Sequence, residues 1–153
     1  MTMPLGFLLL VVGAGGALIA AQGPIYVRMA STIGGPLPAA LLAFTIGALA
    51  LGLFMLGTRT PLPRTADIAQ VPPWVWLGGL IGVLVVLLSI VAVPRLGVAS
   101  YLVAVIAGQL TASYAYDRFG AFGIAPRDFS PVNVVGLLMV LAGAALVIVR
   151  PSS

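Results

Sequence analysis

Five apolar runs, parted by short breaks rich in proline, glycine or arginine, make up nearly the whole chain. They cover about residues 4–29, 36–57, 74–93, 98–117 and 131–149. None has the strict alternation of a half-buried strand. Each is about long enough to cross hydrocarbon as a helix, since ~20 residues at ~1.5 Å each span a ~30 Å core. The pattern predicts an all-α integral membrane protein of five transmembrane helices, with residues 1–153 as a single transmembrane domain.

Prolines mark most of the breaks. Pro36, Pro38, Pro72, Pro73, Pro94 and Pro131 all fall at predicted helix ends, where a missing N–H costs least. Pro24 does not. "AAQGPIYVRM" places Gly23-Pro24 inside the first run, where proline deletes a helical hydrogen bond and pushes the residue before it away from helical angles. The expectation is a kink or short unwound turn near Gln22, with Gly23 and Pro24 as a hinge. Backbone exposed at that depth would need a partner in protein or in a water-filled cavity. Small residues also recur every four positions: Gly13, Ala17 and Ala21; Ala104, Gly108 and Ala112; Gly78 and Gly82. Such stripes predict close helix packing.

Composition narrows the class. The chain is 61% hydrophobic and 7% charged, whereas a soluble domain carries roughly a quarter charged residues. Cysteine and histidine are absent, which excludes disulfides, thiolate chemistry and the usual zinc ligands. No nucleophile–base pair or phosphate loop is present, so neither an enzyme nor a cofactor or metal is expected. A pI near 10.4 could point to nucleic acid, but the arginines are scattered singly and form no patch. "ALIAA" near the N-terminus looks like a small-residue cleavage site, yet no basic residue precedes the apolar run. It is expected to be the first helix rather than a signal peptide.

The arginines carry the orientation signal, because the chain has no lysine. An odd number of crossings puts the termini on opposite sides of the bilayer. Arg59, Arg64, Arg118 and Arg127 then share one side, and Arg28, Arg95 and Arg150 the other, four against three. Orientation follows the side richer in basic residues, and a difference of one instructs very little. The expectation is dual topology, with antiparallel pairing about an axis in the membrane plane, a symmetry that many transporters reach with inverted repeats.

Polar side chains inside the spans are the candidates for function. Gln109, Ser113 and Tyr116 share a helical face, with Asp117 at its edge. Gln109 lies about 11 residues after Val98, or ~16 Å, close to the midplane. An amide there needs a hydrogen bond, supplied either by helix packing or by a polar cavity. Asp117 is the acid that adjoins a span, and Arg118 follows it directly. A structural ion pair or cap is expected of Asp117, with gating or coupling as the alternative. Gln22, Tyr26, Phe44 and Tyr101 would complete a mostly apolar cavity with a few hydrogen-bonding groups, suited to an uncharged or amphipathic small molecule.

Several strings carry a family likeness. "GQLTASYAYDRFG" (residues 108–120), "FTIGALAL" (44–51), "WLGGLIG" (76–82), "PRLGVAS" (94–100) and Gln22 before the first-helix break resemble the YdcZ-type five-helix family of the drug/metabolite transporter superfamily. Those are multi-pass proteins of the bacterial inner (cytoplasmic) membrane, regarded as exporters, and the likeness runs essentially the whole length. It implies a half-transporter, found as dual-topology single proteins, oppositely oriented pairs or fused ten-helix chains. It names no substrate. The reading is therefore a transporter exporting a small organic or amphipathic compound by alternating access of an antiparallel homodimer. A dual-topology channel and a non-transporting lipid-binding or assembly subunit are the alternatives.

Overall fold

Two adjacent glycines and a proline turn the chain between its first two helices. In the computed structural model, which describes residues 4–123 and 125–149, α1 (Leu5–Ile33) ends at Gly34, whose φ of 92° lets its N–H reach the Ala30 carbonyl. Gly35 (φ 126°) follows, and Pro36 opens α2 (Pro36–Gly57) at its first position. A left-handed glycine past the helix end and a proline just inside the next start are the favoured residues for these two jobs. The result is a tight helical hairpin. A short helix, α3 (Thr65–Ala69), lies in the connection that follows, and a 3₁₀ turn (Pro73–Trp76) leads into α4 (Leu77–Leu96).

Two proline expectations are corrected. α1 runs without interruption through Pro24, and α4 through Pro94. No unwound turn forms near Gln22. Proline withholds one donor, here the bond that would reach the Ala20 carbonyl. Unwinding would free several backbone groups that hydrocarbon cannot satisfy, so the helix continues. α1 also extends to Ile33, past the expected Met29, and in this last stretch the Ser31 and Thr32 hydroxyls donate to the Arg28 carbonyl at 2.8 and 3.0 Å. Polar side chains spent on their own helix need no solvent.

The residues described fall into two compact units, one up to Pro94 and one from Arg95 onward. The first has a small core of Ala30, Ala39 and Ile90, against which Tyr26, Met29, Ile33 and Val86 pack. Alanine on both arms of the hairpin lets the backbones approach closely. Outside this core most large apolar side chains are exposed, as suits helices whose solvent is lipid. Among the described residues, five helices are long and apolar enough to cross a membrane, as the hydropathy pattern predicted.

The second unit pairs α5 (Val98–Phe119) with α6 (Pro131–Ile148). Gly120 (φ 63°) closes α5 by donating its N–H to the Tyr116 carbonyl. The connection beyond it includes a 3₁₀ turn (Ala121–Gly123) and is tied back to α5. The Arg127 N–H donates to the Asp117 carbonyl at 2.9 Å, and Arg118 pairs with Asp128 at 2.7 Å. The Tyr114 ring stacks on Phe129 with centroids 4.3 Å apart, and its hydroxyl donates to the Asn133 carbonyl at 2.9 Å. Ser130 and Asn133 form a reciprocal capping box at the start of α6, which satisfies two otherwise orphaned groups. Arg150, counted above on the less basic-rich side, lies outside the described residues.

Candidate functional site

A pocket of about 360 Å³ opens on the α1–α2 hairpin, lined by Tyr26, Ala43, Phe44, Gly47, Ala48 and Leu51. Tyr26 lies seven residues before the end of α1, and Ala43 seven residues past the start of α2. At ~1.5 Å per residue the pocket therefore extends from ~10 to ~22 Å beyond the turn, in the middle of the hairpin. Phe44, Gly47, Ala48 and Leu51 stand at positions i, i+3, i+4 and i+7, one face of a helix. Two small residues between two large ones leave the hollow. That signal was present in "FTIGALAL", but of the lining residues only Tyr26 and Phe44 were expected at a cavity; Ala43, Gly47, Ala48 and Leu51 were missed.

Both named aromatics are held from behind. Tyr26 is half-buried against the Ala30, Ala39 and Ile90 core, while its hydroxyl has no hydrogen-bond partner among the described residues. Phe44 rests on α4 at Gly82, where an added Cβ would meet the ring carbons at 3.4 and 3.6 Å. One turn before Tyr26 along α1, Gln22 is exposed, with no partner for its amide among the described residues, and it does not line the pocket. Gly23 is explained by packing. A Cβ there would come within 3.1 Å of the Val93 Cγ2 on α4, so glycine is what allows that approach.

The α5 candidates keep the spacing predicted for them, but their contacts differ. Gln109 stands eleven residues after Val98 and ten before Phe119, at the middle of the helix. It is exposed and without a hydrogen-bond partner among the described residues. Ser113 donates to the Leu110 carbonyl of its own helix at 3.0 Å. The Tyr116 ring meets Phe122 edge-on at 5.1 Å. Tyr101 is half-buried in the first turn of α5. An Asp117–Arg118 pair does not form, because Arg118 is engaged by Asp128. The two acids compete for one guanidinium, and Asp128 lies where the folded-back connection brings it across. Asp117 offers its backbone carbonyl to Arg127, while its half-buried carboxylate has no partner among the described residues.

The glycines of the small-residue stripes are mostly open within their own units. A Cβ built at Gly13, Gly78 or Gly108 would meet nothing within 4 Å, in contrast to Gly82 and Gly23. Among the described residues no three His, Cys, Asp or Glu side chains cluster as metal ligands would.

The family model described as "Putative inner membrane exporter, YdcZ" matches residues 7–146, from the third residue of α1 to near the end of α6. The chain belongs to the YdcZ family. The match covers all five long helices, including the pocket residues and the polar face of α5. A YdcZ protein is a multi-pass membrane protein, and the family's description places it in the inner membrane in an exporter class rather than an enzyme class. No curated protein and no solved structure matches the chain.

Proposed function

We propose that this YdcZ chain is a half-transporter, moving a small neutral or amphipathic organic compound by alternating access of an antiparallel homodimer. The observation that carries the reading is the mid-hairpin pocket of about 360 Å³. Its size falls within the range of small-molecule sites, and transporter sites commonly lie near the bilayer midplane. An apolar lining with one hydroxyl suits an organic compound better than a bare ion.

Three observations support a second, oppositely oriented copy. The arginine balance of four against three gives almost no orientation instruction. Glycines of three helices offer close approach to something outside their own unit, and a second copy fits that place. Gln109 carries an amide at mid-helix with no partner among the described residues, and a mid-helix residue of an antiparallel neighbour lies at a similar depth. An unwound turn at Gly23-Pro24 would have favoured a channel, and the unbroken α1 withdraws that support.

The test is exchange in proteoliposomes, using a tracer chosen by screening neutral organic compounds for thermal stabilisation of the purified protein. Saturable uptake accelerated by the same compound on the far side is expected. Flux that rises linearly without saturation would indicate a channel, and no flux at all a non-transporting subunit; either outcome overturns the reading.

A further inference from the structure

We propose that the Tyr26 hydroxyl is the specificity-determining group of the α1–α2 pocket, selecting neutral ring-bearing compounds with a single hydrogen-bond acceptor; this rests on the reading of that pocket as the substrate site. The lining consists of Ala43, Phe44, Gly47, Ala48, Leu51 and Tyr26, and the one polar side-chain atom that these residues carry is the phenol oxygen. A charged ligand would shed its water against carbon with no countercharge to receive it, which is costly. The pocket therefore takes neutral molecules.

The hydroxyl is available for this role. Other hydroxyls of the same unit are spent on their own helices: Thr45 donates to the Leu41 carbonyl at 2.8 Å, and Ser89 to the Val86 carbonyl at 2.7 Å. Tyr26 has no such bond among the described residues, because its ring carries the oxygen beyond reach of the backbone one turn away. The ring itself is fixed by packing on Ala30, Ala39 and Ile90, so little ordering is needed when it donates. Across the pocket, Phe44 supplies an aromatic surface seated on Gly82, to which a ligand ring can stack. A volume of about 360 Å³, roughly a dozen waters at ~30 Å³ each, fits a ligand of one or two rings.

The experiment uses two probes of nearly equal shape, 2-acetylnaphthalene with a carbonyl acceptor and 2-ethylnaphthalene without one. Binding is measured by equilibrium dialysis on the full chain in nanodiscs, corrected with empty nanodiscs. Tyr26→Phe should weaken 2-acetylnaphthalene about fivefold, the scale of one neutral hydrogen bond, and leave 2-ethylnaphthalene unchanged. Ala48→Phe, an exposed position that can enlarge without disturbing the core, should abolish binding of both. Equal behaviour of the two probes in Tyr26→Phe would overturn the role of the hydroxyl, with loss of binding in Ala48→Phe still upholding the pocket. Unchanged binding in Ala48→Phe would overturn the pocket itself and leave it as a groove filled by a lipid chain. Binding of 1-methylquinolinium tighter than that of 2-acetylnaphthalene would overturn the selection for neutral ligands.

Discussion

Asp117 and Arg118 are neighbours in sequence, yet the arginine pairs with Asp128, ten residues on. The sequence made Gln109's mid-helix position legible, because position along a helix follows from counting. The partner of Arg118 was not legible, because it depends on how an irregular connection folds back. Nothing local encodes that path. The Arg118–Asp128 pair is 59% and 94% exposed, so it contributes little, about 0–1 kcal/mol. Asp117→Asn should leave thermal stability unchanged or slightly raised, since a carboxylate at a helix C-terminus opposes the dipole. A fall in melting temperature of several degrees would show that the carboxylate does hold a partner. Tyr114→Phe is the contrasting case. It removes the hydroxyl that donates to the Asn133 carbonyl and should cost about 1 kcal/mol in denaturant unfolding.

Helix spans were read to within a few residues at most ends, because hydrocarbon thickness sets their length and apolar composition marks them. The errors came from treating proline as it behaves in water. Inside a bilayer, losing one backbone hydrogen bond is cheaper than unwinding a turn, so α1 passes Pro24 and α4 passes Pro94. α3 was missed for another reason: five residues are too few to show a hydrophobic period. The α1–α4 contact yields a direct check. With the Val93 Cγ2 3.1 Å from where a Cβ would stand, Gly23→Ala makes the Val93 side chain give way and should cost about 1 kcal/mol. Val93→Ala makes room, so the double variant should be less destabilised than the sum of the single ones. Simple additivity would mean that the two helices are not in contact there.

At the scale of the whole molecule, each of the two units by itself leaves most of its large apolar side chains exposed among the described residues, a surface for lipid, the other unit or a second copy to cover. The family likeness and the five helices were legible in the sequence. The pocket was legible only in part, since Tyr26 and Phe44 are apart in sequence and meet through the Gly34-Gly35 turn. The central claim is that two oppositely oriented copies form the working unit. Orientation can be locked by charge, because added lysines hold a loop on the cytoplasmic side. One variant carries Thr60→Lys, Thr65→Lys and Gln70→Lys; the other carries Ser31→Lys, Thr32→Lys and Ala99→Lys, on what alternating crossings make the opposite side. The decisive measurement is saturable tracer exchange by each locked variant alone and by the two co-expressed. The account predicts little exchange from either alone and recovery when they are made together. Full exchange by one locked variant on its own would contradict it.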